Sequence, residues 1–274
     1  MTELQGKIAL VTGASRGVGR GIAQELGIAG ATVYVTGRSV SDDSTTEDLG
    51  GSVNSTAELV TQSGGAGISV QCDHTRDDAV LALFERIRRE QGRLDILVNN
   101  VWGGYEDFAA ANFVAPFWEQ PMWRWELMFD AGVRAHFTAS RLAASLMIPR
   151  KQGLIVNISS GDEGKYRGQV MYDIAKEAVD RMAFGMALEL RQHGIAALAI
   201  YPGLTRTERV LRYASAEELG TSESPRYAGR AIVALATDTE VLQRSGGAYK
   251  TGELALEYGF KDTDGTQPPP FTFG

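Results

Sequence analysis

The sequence predicts an α/β fold, one domain over residues 1–274 built as a doubly wound parallel sheet with helices on both faces. Three observations carry this prediction. Short runs rich in Val, Ile and Leu alternate with longer segments of helical period, the pattern of parallel strands buried on both sides. A glycine-rich turn follows the first apolar run and opens a helical stretch, the strand–turn–helix start of a βαβ unit. No internal repeat and no Pro/Gly-rich linker divides the chain, and its length suits one large domain.

Taken in order, strands are expected at Ile8 to Val11, Thr32 to Thr36, Ile68 to Gln71, Asp95 to Val98, Leu154 to Ile158 and Ala197 to Ile200. Helical stretches fall near residues 18–29, 76–91, 121–150, 171–193 and 225–236. Right-handed crossovers between parallel strands put these helices on both faces. Residues 39–56, rich in Ser, Thr, Asp and Gly, read as a long exposed loop. Residues 101–123 interleave glycine with Trp102, Tyr105, Phe108, Phe113, Phe117, Trp118 and Trp123. That stretch either walls a pocket or packs beneath a loop, with equal weight. Residues 204–227, carrying Glu208, Arg209, Arg212 and Tyr213, follow the sixth strand where ligands bind such sheets. They read as a substrate lid or as a solvated helix. An extended tail is expected over residues 262–274, with three consecutive prolines.

The 27 basic and 34 acidic residues give a net charge of -7, which argues against broad nucleic-acid or anionic-membrane binding. One cysteine, Cys72, excludes an intrachain disulfide and suits a reducing cytosol. Three scattered histidines and that cysteine offer no metal-ligand cluster. No leader pattern is evident and no apolar run approaches the roughly 20 residues that span a bilayer. A cytoplasmic protein without metal, membrane or nucleic-acid partner is expected.

The turn reads Gly13-Ala14-Ser15-Arg16-Gly17-Val18-Gly19. Glycine permits the tight turn and a close approach of backbone to phosphate. The amides and dipole at the following helix start attract a pyrophosphate. NAD enzymes place an acid at the end of the second strand for the ribose hydroxyls. Here that place reads Thr36-Gly37-Arg38-Ser39, and Arg16 adds a second cation. Two guanidiniums suit a 2′-phosphate, so NADPH/NADP+ is expected rather than NADH/NAD+.

Tyr172 and Lys176 lie four apart in a helical stretch, hence on one face. Tyrosine, with a reference pKa near 10, is a poor acid–base catalyst near neutrality; an adjacent ammonium stabilises its phenolate form. Ser159-Ser160 ends the preceding strand, where a hydroxyl can hold a substrate carbonyl oxygen. Asp73, past the third strand, is placed to bond an adenine amine. Asn99 and Asn100 close the fourth strand, to brace the sheet crevice or to form a turn.

Together these residues resemble the short-chain dehydrogenase/reductase family. The motifs run in order from Lys7 to about Gly252: Thr12-Gly13-x-x-x-Gly17-x-Gly19, Asp73, Asn99-Asn100, Ile155-Val156-Asn157-Ile158-Ser159-Ser160, Tyr172-x-x-x-Lys176 and Pro202-Gly203-x-x-x-Thr207. Within the family, segments such as Ala31 to Arg38, Glu189 to Gly194 and Ala234 to Asp238 are similar to the dehydrogenase/reductase family member 1 type.

The resemblance implies a Rossmann-type fold and a Ser-Tyr-Lys centre of Ser160, Tyr172 and Lys176. It implies cofactor contacts from Gly13, Ser15, Arg16, Gly17, Val18, Gly19, Arg38, Asp73, Asn99, Tyr172 and Lys176. Pro202, Gly203, Thr205 and Thr207 would meet the nicotinamide end. NADPH-linked reduction of bulky or steroid-like ketones and a homodimer or homotetramer also follow from it. Alcohol oxidation is the same chemistry reversed, and a non-catalytic NADP(H)-binding sensor is the alternative on this fold.

Three departures stand out. Val101-Trp102 replaces the family's Ala-Gly after Asn-Asn, and Gly132 stands where a helix Asn usually orders a water beside the Lys. Counting thirteen residues back from Tyr172 selects Ser159, whereas aligning the strand end selects Ser160, the favoured candidate.

Overall fold

Apolar runs become strands here because alternate side chains enter two separate cores, each closed by helices. The computed structural model describes residues 3–43, 45–46, 49–106 and 115–273. Phe108 and Phe113 of the aromatic stretch lie outside them. The chain runs β1 (Ile8–Val11), α1 (Gly17–Ile28), β2 (Thr32–Gly37), α2 (Val53–Gln62), β3 (Ala66–Gln71), α3 (Asp77–Gln91) and β4 (Ile96–Asn99). It continues through α4 (Met122–Phe129), α5 (Ala135–Met147), β5 (Gly153–Ile158), α6 (Val170–Leu190) and β6 (Ile195–Tyr201). Two short helices, α7 (Val210–Tyr213) and α8 (Ala216–Gly220), precede α9 (Pro225–Thr237), β7 (Ala248–Lys250) and α10 (Thr251–Tyr258).

The strands form one parallel sheet of order β3-β2-β1-β4-β5-β6-β7. Along β1, Ala9 and Val11 pack with Ile22 and Leu26 of α1, Val60 of α2 and Ile232 and Leu235 of α9. Ile8 and Leu10 point the other way, among Leu83 and Ile87 of α3, Leu146 of α5 and Leu190 of α6. Each large side chain so buried contributes about 1.5–3 kcal/mol. The order reverses between β1 and β4, and that switch point opens the crevice in which the site forms.

Four features differ from the sequence reading. The loop expected over 39–56 ends earlier, because α2 begins at Val53. Ser52 caps that helix by accepting the Ser55 N–H at 3.1 Å, and Val53, Thr56, Ala57 and Val60 supply its buried stripe. β7, only three residues long, carries no periodic signal of its own. The stretch expected as one helix over 121–150 is divided, with a π-helical segment at Asp130–Arg134 between α4 and α5. The tail is extended but folded back: the Tyr227 hydroxyl donates to the Pro268 carbonyl at 3.3 Å. Among the described residues no helix is long and apolar enough to cross a membrane, and no cluster of His, Cys, Asp and Glu could hold a metal.

Candidate active site

The turn between β1 and α1 places Gly13 and Gly17 at φ +65 and +57, where a Cβ is strained. A Cβ on Gly19 would lie 2.4 Å from Asn100 Nδ2, so the turn closes tightly on β4. Asn100 staples the two: its Nδ2 donates to the Thr12 and Gly13 carbonyls at 3.0 and 2.9 Å. Asn99 faces away from the crevice. It is fully buried and donates to Ser140 Oγ and Asn157 Oδ1, each at 2.8 Å, bracing β4 against β5 and α5.

The first amide of α1 already holds an anion. The Gly17 N–H donates at 2.9 Å to the carboxylate of Glu208, from the segment after β6. Helix N-termini favour negative charge in this position. Arg16 reaches sideways, donating to Ser39 Oγ and Thr46 Oγ1, both at 3.0 Å, and to the Gly50 carbonyl at 3.2 Å. Arg38 pairs with Glu106 at 2.6 Å. Asp73 accepts from the N–H and hydroxyl of Thr75. His74 beside it is buried, which pushes its pKa down to about 4.

A continuous cavity of 1170 Å³ joins this end to the chemistry. Of the site residues read from the sequence, Gly13, Ser15, Arg16, Gly17, Val18, Arg38, Asp73, Ser160, Tyr172, Lys176, Pro202, Gly203, Thr205 and Thr207 all line it. Gly19 and Asn99 are not among its lining residues. Ser159 and Ser160 both border the cavity, but the Ser159 hydroxyl turns onto α6, donating to the Lys176 carbonyl at 3.4 Å. Ser160 is half-buried.

Tyr172 and Lys176 occupy the first two turns of α6. The Lys176 ammonium donates to the Ile158 carbonyl at 3.4 Å and lies 4.0 Å from the Trp102 ring centroid, a cation–π contact. Burial pushes Lys176 down to about 8, with the Asp180 carboxylate opposing. The Tyr172 ring meets Trp102 edge to face at 5.6 Å and stacks on Tyr105 at 6.4 Å. Trp102, Tyr105 and Trp123 line the cavity, so part of the aromatic stretch walls a pocket. Arg167, its side chain buried, ties Asp173, Glu177 and Asp180 together and stiffens the start of α6.

Sequence reasoning missed several groups here. Asp180 lies one turn beyond Lys176, accepting from the Tyr201 hydroxyl at 2.8 Å, and burial pushes its carboxyl up to about 6. Its i+8 spacing from Tyr172 was the available signal. His136 bonds the Val101 carbonyl through Nε2 at 2.9 Å. Phe271 and Phe273 join the cavity from the far end of the chain, where no local pattern marks them. The two departures at 102 and 132 prove to be one feature: a Cβ on Gly132 would stand 2.4 Å from the Trp102 ring.

Comparisons with known proteins agree with this geometry. Residues 7–218 match the family model described as short chain dehydrogenase. The chain is 38% identical to dehydrogenase/reductase SDR family member 1 of Mus musculus, over 97% of this chain and 86% of that protein. Its structure is similar to a 7α-hydroxysteroid dehydrogenase complexed with NADH and 7-oxo glycochenodeoxycholic acid, with TM-score 0.76, 26% identity and 96% of each chain covered. A metagenomic short-chain oxidoreductase in complex with NADP is also similar, with TM-score 0.69, 26% identity, and 90% of this chain and 98% of that one covered. Its motifs meet around one cavity in family order, and the match extends over most of its length: the chain belongs to the short-chain dehydrogenase family of oxidoreductases.

Proposed function

We propose that the protein is an NADPH-dependent carbonyl reductase, equally able to oxidise the corresponding alcohol, with Tyr172 as its acid–base. The observation that carries this reading is the single cavity reaching from the glycine turn to Tyr172 and Lys176. The turn fits a dinucleotide: Gly13 and Gly17 leave its backbone bare, and the α1 amide that Glu208 now occupies selects an anionic group. The Gly17 amide, once released by the Glu208 carboxylate, would hold a pyrophosphate. Arg38, once turned from Glu106, and Arg16 would hold a 2′-phosphate. Asp73 would accept from the adenine amine.

A bound nicotinamide supplies or accepts the hydride. The protein's own part is to place and move a proton. The Ser160 hydroxyl donates to the substrate oxygen, Tyr172 Oη gives up its proton to that oxygen, and the Lys176 ammonium stabilises the phenolate left behind. Trp102 covers Lys176 and keeps bulk water from that charge. The same residues in reverse order serve alcohol oxidation. As in the family, a homodimer or homotetramer is proposed, with exposed Phe137 of α5 and Phe184 and Leu188 of α6 offering apolar contact; light scattering on the purified protein tests it.

Titration with NADPH and NADH, followed by nicotinamide fluorescence, tests the cofactor assignment. NADPH is expected to bind at least about tenfold more tightly, a preference lost in Arg38→Ala, since one charged contact of this kind is worth roughly 1.5–3 kcal/mol. Preference for NADH overturns the 2′-phosphate assignment. Tyr172→Phe is expected to lower turnover by about 10²–10⁴ while cofactor binding persists. Retained turnover in that variant removes Tyr172 from the chemistry.

A further inference from the structure

Residues 268–273 bring to the cavity a surface that is distant in sequence from the rest of the site. Pro269 and Pro270 lie against the start of α10, where a Cβ on Gly252 would meet Pro270 N at 2.5 Å. Only a bare backbone at 252 lets the segment sit so close. From there Phe271 and Phe273 enter the cavity lining, their rings edge to face at 5.2 Å and 88°. Phe271 also passes close over the Pro202-Gly203 turn, its Cβ 3.4 Å from where a Cβ on Gly203 would be.

A buried carboxylate fastens the far end of the segment. Asp162 is buried and stands two residues after Ser160. Its Oδ2 accepts the Phe273 N–H at 2.9 Å, and its Oδ1 accepts from the Lys250 ammonium at 2.6 Å. Lys165 lies 3.0 Å from Oδ2 and donates to the Phe273 carbonyl, also at 3.0 Å. The clasp thus joins the loop carrying Ser160, the end of β7 and the returning segment. The bonds from Lys250, then Lys165, hold the Asp162 carboxyl down at about 2, so it stays ionised at any pH where turnover would be measured.

We infer that residues 268–273, clasped by Asp162, form a specificity wall that selects bulky apolar ketones, fused-ring or aryl compounds, over small or polyhydroxylated ones. The inference rests on the carbonyl-reductase reading and adds the residues that set its substrate preference. Phe271 and Phe273 join Trp102, Tyr105, Trp123 and Leu204 around the same cavity. Aromatic faces reward a large apolar ring system by area. They penalise a sugar-like substrate, whose hydroxyls would lose water without gaining partners.

The experiment compares 2-decalone with butanone as substrates, each with NADPH, in the wild type and in Phe271→Ala/Phe273→Ala. The wall predicts that the ratio of kcat/KM for 2-decalone to that for butanone falls at least tenfold, chiefly through KM. Asp162→Asn, which weakens the clasp without removing a ring, is expected to shift the ratio in the same direction. Should the double variant fail to fold, Phe271→Leu, apolar and still bulky, retains the fold and should lower the ratio less. An unchanged ratio in the folded variants overturns the wall.

Binding of 2-decalone to the enzyme–NADP+ complex, read by tryptophan fluorescence, needs no turnover. A wild type that binds 2-decalone, loses at least tenfold in affinity in the double variant, yet reduces no ketone, overturns the carbonyl-reductase reading and leaves the wall standing. Equal affinity in wild type and variant overturns the wall itself.

Discussion

Trp102 and Gly132 share one space beside the Lys176 ammonium, with the indole lying where a side chain at 132 would extend. The contact couples the two positions energetically, because a close-packed interior has no spare volume for both. Gly132→Asn is therefore expected to cost about 2–3 kcal/mol of stability, by overpacking against the ring. Trp102→Ala/Gly132→Asn is expected to recover most of that, a coupling that urea denaturation of the four-member cycle measures directly. Additive losses would show that the indole does not hold position 132 small.

The charge on Lys176 carries a second residue-scale prediction. Tyr172 and Asp180 face it along α6, Arg167 from the preceding loop and His136 from α5. Its folded pKa of about 8 lies below the ordinary 10.5. As pH rises through about 8 the ammonium is lost, and the carbonyl-reduction rate is expected to fall. Asp180→Asn removes the carboxylate that holds the proton on and should move this fall to lower pH; an unmoved profile would leave Asp180 a structural role only. The sign for stability is the opposite: between about pH 8 and 10.5 the unfolded chain binds the extra proton, so this group's contribution to stability rises across that window.

Between elements, one tight demand is where α1 crosses the start of α9. A Cβ on Gly21 would fall 2.2 Å from the Pro225 backbone carbonyl, and buried Glu25 reaches across to Arg226 and Arg230 at 2.6 and 3.3 Å. Gly21→Ala is expected to destabilise by about 3 kcal/mol, read as a lower urea midpoint with an unchanged slope. A shift under about 0.5 kcal/mol would mean that the helices separate at little cost.

Six of the seven strands among the described residues, and the glycine turn, were legible as elements because each carries a local signal. These are runs such as Ile8 to Val11, or glycines at backbone positions no other residue fills easily. α2 was not, because its Ser52–Ser55 cap lacks the acidic partner that marks most helix starts and its interior is rich in Ser and Thr. β7 borrows its pairing from β6, and Gly132, within the π segment at Asp130–Arg134, packs against Trp102, thirty residues earlier.

At the scale of the whole molecule, the sequence order of the motifs already implied that Gly13, Asp73, Ser160, Tyr172 and Lys176 meet, since parallel strands with right-handed crossovers deliver all their carboxyl ends to one edge. What order could not convey is which far segments return to that edge. Glu208 comes back to the α1 amide and Phe273 to Asp162; both depend on folded loops rather than on periodicity. Such contacts join the β6-to-α9 segment, the returning tail and the sheet around one cavity, so a ligand filling it should stabilise the entire chain. Binding to the native state alone at 100 times Kd contributes about 2.7 kcal/mol. For a domain of this size that corresponds to a rise in Tm of roughly 5–10 °C. NADPH at that concentration is expected to produce such a shift in a single cooperative transition, and NADH at equal concentration a clearly smaller one. Two transitions, with only one moved by NADPH, would mean that the segments bordering the cavity unfold independently of the sheet.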